Sequence, residues 1–185
     1  MKTFRIAITG PESTGKSTLS AQLAEALDCP WRPEAAREYL NDLGRPYEEA
    51  DLVQIFRKQQ QEENALLGSF PEFLILDTEE TVLRIWSEEK YGRCDPLILQ
   101  SLAENPPDLY LLTGIDLPWE PDPLREHPDP ADRLRLWKAY QDAVIASGKP
   151  WAALEGSPEQ RLKAALEAVQ KAQSEGPTDF PVSDL

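Results

Sequence analysis

Short apolar runs alternate along this 185-residue chain with longer stretches in which apolar residues recur at helical spacing. Thr3 to Thr9 (TFRIAIT) is short, apolar and β-branched, the pattern of a buried strand. Phe73 to Asp77 (FLILD) and Asp108 to Thr113 (DLYLLT) are continuous apolar runs, as in strands covered on both faces. Trp151 to Glu155 reads as a last strand. Lys16 to Leu27 carries Leu19, Leu23, Ala24 and Leu27 at helical spacing, and Pro158 to Gln173 carries Leu162, Ala165, Leu166 and Val169 in the same way. Tyr47 to Leu67 and Thr81 to Glu89 are two further helices, with Gln59 to Glu63 on the solvated side of the first. Cys29 to Glu34 holds two prolines and should be extended, leading into a helical turn over Ala35 to Leu40.

Strands separated by helices imply a parallel, doubly wound α/β sheet of about five strands with helices on both faces. Ligands of such sheets bind outside the carboxyl ends of the strands. The strand ends therefore nominate Glu34 and Arg37, then Asp77, Thr78 and Glu79, then Asp116 and Trp119, then Gly156 and Ser157. Residues 1–173 are expected to form one domain, and Ser174 to Leu185 a disordered tail without periodicity.

Between the first strand and first helix lies Gly10-Pro11-Glu12-Ser13-Thr14-Gly15-Lys16-Ser17-Thr18, which fits the G-x-x-x-x-G-K-[ST] phosphate loop in its proper context. Gly10 and Gly15 permit a curve that points successive N–H groups at phosphate oxygens, with the positive end of the helix behind them. Lys16 would reach the β- and γ-phosphates, and Ser17 would ligate Mg²⁺. Asp77, at the end of an apolar strand, has the place of an acid that holds Mg²⁺ or its water, the plainer alternative being a helix cap or turn residue. Glu34 would accept a proton from a substrate hydroxyl or bond a sugar diol.

The stretch from Asp116 to Arg135 is dense in proline and charge, and is expected to be a lid spanning about 117–136. Its arginines, Arg125 first and then Arg133 and Arg135, would close on the transferring phosphoryl group. Trp119 beside the lid could stack on a planar base. Trp31, Trp86, Trp137 and Trp151 read as core, and the lone His127 has no assigned role.

Composition narrows the partners. With 33 acidic against 19 basic residues the formal charge is −14, which disfavours nucleic acid and anionic membrane. Cys29 and Cys94 are isolated thiols without metal-site spacing. No run approaches the length of a membrane span, and a cytoplasmic location is expected. Oligomeric state is not encoded legibly. A guanine-reading Asn-Lys-x-Asp motif does not occur, so a small-metabolite kinase is favoured over a GTPase.

The P-loop block, Pro-Glu-Ala-Ala-Arg-Glu-Tyr-Leu (33–40), Leu-Asp-Thr-Glu (76–79), Trp-Ser-Glu-Glu-Lys-Tyr-Gly (86–92) and Asp-Leu-Tyr-Leu-Leu-Thr-Gly-Ile-Asp-Leu-Pro-Trp (108–119) together resemble one family in order and spacing. It is the ribosylnicotinamide kinase domain of the bacterial bifunctional NMN adenylyltransferase and ribosylnicotinamide kinase proteins. The resemblance implies a three-layer P-loop kinase fold and transfer of the ATP γ-phosphate, with Mg²⁺, to the 5′-hydroxyl of nicotinamide riboside. It implies a catalytic set of Lys16, Asp77, Glu34 and Arg125. ATP would lie on Gly10, Glu12, Ser13, Thr14, Gly15, Lys16, Ser17 and Thr18, with its adenine against Gly156, Ser157 and Pro158. The acceptor would meet Glu34, Arg37, Tyr39, Asp116 and either Trp86 or Trp119. The adenylyltransferase H-x-G-H motif is missing from a chain with one histidine, so a stand-alone kinase domain is expected. A kinase for another nucleoside or small hydroxyl compound, and a regulatory ATPase, are the alternatives.

Overall fold

The computed structural model describes residues 2–175. Among these, five strands form one sheet: β1 (Phe4–Thr9), β2 (Trp31–Arg32), β3 (Phe73–Asp77), β4 (Leu109–Thr113) and β5 (Trp151–Leu154). They are all parallel, in the order β2-β3-β1-β4-β5. Among the described residues, seven helices accompany them: α1 (Lys16–Ala26), α2 (Ala35–Leu43), α3 (Glu49–Leu67), α4 (Glu80–Tyr91), α5 (Pro96–Glu104), α6 (Pro130–Ala146) and α7 (Pro158–Glu175).

Alternation along each strand divides the core. Ile6, Ile8, Ile75, Leu109 and Leu111 pack against Leu19 and Leu23 of α1 and Ala165 and Val169 of α7. Their neighbours Ala7, Tyr110 and Leu112 face the other way, onto Ile85 of α4 and Leu136, Tyr140 and Val144 of α6. Both sheet faces are therefore covered, which explains why β1, β3 and β4 read as unbroken apolar runs. A third cluster joins Ala36, Leu52, Ile55, Leu83 and Ile98 from α2, α3, α4 and α5, and forms one wall of the cleft above the sheet.

The structure adds two helices to those expected. Asp95 caps α5 through the Leu97 amide, and Asp129 caps α6 through the amides of Ala131 and Asp132. In each case the following proline occupies the first helical position, where its missing N–H is no loss. Because α6 begins at Pro130, the final part of the expected lid, including Arg133 and Arg135, is helical. The solvated face assigned to Gln59–Glu63 is also corrected: Gln59 and Glu63 are buried, and Glu63 accepts from Arg5 at 2.7 Å. Helix α7 extends through Ser174 and Glu175, and the rest of the expected tail lies outside the described residues. Among the described residues, no helix is long and apolar enough to cross a membrane.

Candidate active site

The P-loop is fixed by its own polar groups and by its neighbours. Gly10 has φ 134°, and a Cβ there would lie 2.6 Å from the Thr113 hydroxyl at the end of β4. Gly15 caps α1 at φ 78°, so both glycines hold backbone that other residues enter only with strain. The Thr14 hydroxyl donates to the Pro11 carbonyl at 2.8 Å and meets the Thr113 hydroxyl at 2.7 Å. From α7, the buried Arg161 donates to the Thr14 carbonyl at 2.7 Å, and also to Gly156 and Gly114 carbonyls and the Asp116 carboxylate. A loop held this firmly presents its N–H groups to phosphate with little reorganisation.

Lys16 reaches back over the loop, donating to the Pro11 carbonyl at 2.7 Å. Desolvation lowers its pKa, while the carboxylates of Glu34, Asp77 and Glu12 pull it upward and Arg125 adds to the lowering. Asp77 is 1% exposed, and neither of its oxygens has a hydrogen-bond partner. Burial raises its pKa against the opposing effects of the Ser17 hydroxyl, Lys16 and Arg32, with Glu34 adding to the rise. Ser17 thus stands near Asp77 without completing a hydrogen bond to it.

A sealed carboxylate without a partner, next to a hydroxyl and a phosphate loop, suits Mg²⁺ held by Ser17, Asp77 and phosphate oxygens. Among the described residues, no group of three or more histidine, cysteine, aspartate or glutamate side chains could hold a metal ion.

The carboxyl end of β3 carries strain. Thr78, a β-branched residue, sits at φ 62° in the left-handed region. Its amide donates to the Ile8 carbonyl at 3.2 Å, and its carbonyl accepts from the fully buried Arg32 at 2.5 Å. Glu79 next to it is completely buried and caps α4 by accepting from the Thr81 amide at 2.7 Å. Burial, reinforced by Glu80, pushes its carboxyl up to about 8, against the pull of Thr81 and Arg32.

Two adjoining cavities open beside Lys16. The outer one is lined by Glu12 through Thr18, together with Glu34, Arg37, Trp86 and Arg125. The inner one lies between α4 and α6, with Val82, Ile85, Trp86, Leu136 and Tyr140 as its apolar wall. Glu34, Glu89 and Glu12 supply its carboxylates, and Lys16 is its only lysine or arginine. Glu12, Lys16, Glu34, Trp86 and Leu124 border both cavities. Glu89 is paired with Arg135 through two bonds of 2.7 Å, and Glu34 lies 3.7 Å from Arg37.

Of the residues nominated from sequence, the P-loop, Glu34, Arg37, Trp86 and Arg125 come together at the cleft. Asp77 borders neither cavity but lies beside Ser17 and Lys16. The remaining nominees line neither cavity. Tyr39 donates to Asp51 at 2.8 Å and packs in the helical wall. Asp116 accepts from the Gly156 amide and from Arg161, which ties β4 to the start of α7. Ser157 bonds Glu159 and Gln160 within the first turn of α7, and Gly156, Ser157 and Pro158 line neither cavity. Trp119 donates its indole N–H to Glu12 at 3.0 Å rather than facing the cleft. Arg133 braces the Ser13 and Leu117 carbonyls from α6.

Sequence reasoning passed over Arg32 and Arg161. The only hint of the first was a charge in a short segment between prolines. The second is a lone cation just ahead of an apolar helical stripe.

Comparison with known proteins agrees with this picture. Over 146 residues the chain is 26% identical to the trifunctional NAD biosynthesis/regulator protein NadR of Salmonella typhimurium, a match covering 76% of this chain and 34% of that protein. It is similar to the solved structure of a NadR protein in complex with NR, with TM-score 0.72 and 20% identity over 97% of this chain and 53% of that one. For NadR in complex with NAD and AMP-PNP the values are 0.74 and 21%, over 99% and 51%. Thymidylate kinase from Ehrlichia chaffeensis shares the fold at TM-score 0.66 and 15% identity, over 94% of this chain and 100% of that one. The chain thus spans about a third of the curated relative and about half of the solved NadR chains. Its parallel sheet, flanking helices and phosphate loop are those of a P-loop kinase-like fold. Residues 5–161 match the family described as AAA domain, and the chain belongs to that family.

Proposed function

We propose that this protein is a kinase that transfers the γ-phosphate of ATP to the 5′-hydroxyl of nicotinamide riboside, giving NMN. The observation that carries the proposal is the seam between the two cavities. There, Lys16 of the phosphate loop, Glu34 and Trp86 line both cavities. A triphosphate on the loop would place its terminal phosphate at that seam, and the inner cavity would take the acceptor. An apolar wall with an indole and carboxylates suits a cationic aromatic ring, since the ring face and the acids both attract positive charge. An acceptor bearing its own phosphate would need more than one cation in the inner cavity, which counts against a nucleotide acceptor there.

The chain's residues divide the work. Backbone amides of the P-loop and the Lys16 ammonium bind the β- and γ-phosphates. Mg²⁺, held by Ser17 and Asp77, would neutralise charge on the phosphate oxygens. Glu34 and Glu12 both border the two cavities, but Glu12 is engaged by Trp119 and the amides of Glu126 and His127, so Glu34 is the base that accepts the acceptor's hydroxyl proton. Asp77 borders neither and stays with the metal. As the acceptor oxygen bonds to the γ-phosphorus, the bond to the bridging oxygen breaks and ADP leaves. Arg125 faces the outer cavity and stabilises the charge on the phosphoryl group in flight. The likeness to NadR bound to NR and to AMP-PNP supports this pairing of ligands. Turnover is the direct test: ADP release from ATP on addition of nicotinamide riboside.

A further inference from the structure

Glu12 occupies a variable position of the phosphate loop, where a carboxylate is a poor choice for phosphate. It carries negative charge and donates no hydrogen bond, so it would repel the ligand the loop exists to hold. Its bonds resolve the contradiction. All three come from the lid: Oε1 accepts from the Trp119 indole at 3.0 Å and from the His127 amide at 2.7 Å, and Oε2 accepts from the Glu126 amide at 2.9 Å.

The next residue, Ser13, continues the grip from a left-handed conformation at φ 56°. Its hydroxyl accepts from the Glu120 amide at 2.9 Å and from Arg125 at 3.2 Å. The lid is thus fastened to the P-loop at 119–120 and again at 125–127, with Arg125 inside the second fastening.

We infer that Glu12 is a positioning residue: it latches the lid to the phosphate loop and so sets Arg125 over the transferring phosphoryl group, without touching the phosphates itself. Bonds from two amides and an indole to one carboxylate fix both the distance and the direction of the segment that carries Arg125. A displacement of about 1 Å at a group acting on the transition state costs roughly a hundredfold in rate. The kinetic part of this inference rests on the phosphoryl-transfer reading; the latch itself does not.

The test uses the full chain with Glu12→Ala and Glu12→Gln. Without nucleotide, hydrogen exchange at the Glu126 and His127 amides should rise in Glu12→Ala, with exchange in α1 unchanged. In turnover, kcat should fall by about 10–100-fold in Glu12→Ala while KM for ATP changes little. Glu12→Gln keeps an oxygen for Trp119 and His127 but turns an NH₂ toward the Glu126 amide, so it should fall between. In an Arg125→Ala background, Glu12→Ala should cost far less than it does alone, because its effect passes through Arg125. Unchanged exchange at the two amides would overturn the latch. A raised KM for ATP with kcat kept, or full additivity with Arg125→Ala, would overturn the positioning role. If no acceptor is phosphorylated at all, the functional proposal fails, and the exchange measurement alone decides the latch.

Discussion

The Lys16 ammonium donates to the carbonyl of Pro11, five residues earlier in the same loop, at 2.7 Å. It is thereby held at the mouth of the cleft among Glu34, Asp77 and Glu12, and bound phosphate would meet a cation already in place. Lys16→Ala should lower kcat/KM at least about a hundredfold. Its thermal unfolding should match the parent, because the lysine's bond is to a carbonyl that Thr14 also satisfies. Steady-state kinetics on the two proteins check this, and retained turnover would show that the loop is not the phosphoryl site.

Trp86 and Trp119 are the two candidates for stacking on the proposed acceptor, and their surroundings differ. Trp86 borders both cavities and packs against Tyr47 with ring centroids 5.1 Å apart. Trp119 is engaged by Glu12. Trp86→Ala should raise KM for nicotinamide riboside by about 5–30-fold, the worth of a cation on a desolvated aromatic face. KM for ATP should move much less. Trp119→Phe should leave the acceptor KM alone. The reverse pattern would transfer the stacking role to Trp119.

Asp77 presents the opposite case, a carboxylate sealed from solvent with both oxygens unpartnered. Asp77→Asn preserves its shape and removes the charge that a divalent ion needs. The Mg²⁺ concentration for half-maximal activity should rise by about 10–100-fold, the range seen when a supporting carboxylate is lost from a metal site. An Mg²⁺ titration of the variant's turnover checks this. An unchanged midpoint with full rate would remove Asp77 from the metal site.

These residues also mark how far the sequence could be read. Buried parallel strands must be apolar on both faces, so β1, β3 and β4 were visible as runs, and the end of β3 led to Asp77; Glu34 was reached from the short extended segment between prolines that forms β2. The phosphate loop was visible because backbone sterics and phosphate binding constrain its glycines, lysine and serine at fixed spacing. What escaped was tertiary. Glu12 looked like filler within the motif, and its partners lie more than a hundred positions away in the lid. Arg161 joins four carbonyl and carboxylate groups that only folding brings together. Helix α6 was hidden behind Asp129-Pro130 inside the expected lid, and α5 behind Asp95-Pro96 in a stretch given no element; in both pairs the aspartate caps and the proline opens a helix.

Tyr39 illustrates a residue whose bonding is structural. It joins Arg45 and the Glu48 amide in satisfying Asp51, which lies in the first turn of α3. Arg45 first, then the Glu48 amide and the Tyr39 hydroxyl, hold the Asp51 carboxyl far below the usual carboxylate range. A depressed folded-state pKa means that the unfolded chain takes up the proton first as pH falls. The stabilisation is therefore complete above about pH 4, the ordinary aspartate value, and fades as pH drops toward the folded value. Asp51→Asn should cost about 1–3 kcal/mol at pH 7, from the loss of charged hydrogen bonds. Urea unfolding at pH 7 and at pH 3 should show that gap narrowing in acid; a gap of constant size would contradict the assignment.

The central claim is that phosphate leaves ATP for a hydroxyl on a cationic pyridine nucleoside. ADP release should be followed with ATP and Mg²⁺ alone, then with nicotinamide riboside, uridine, thymidine, adenosine or thymidylate added singly, with the phosphorylated product identified by mass. Rapid turnover with nicotinamide riboside, yielding NMN and little ADP without an acceptor, is the predicted result. Equal hydrolysis with and without acceptor, or faster phosphorylation of a neutral nucleoside or a nucleotide, would contradict it.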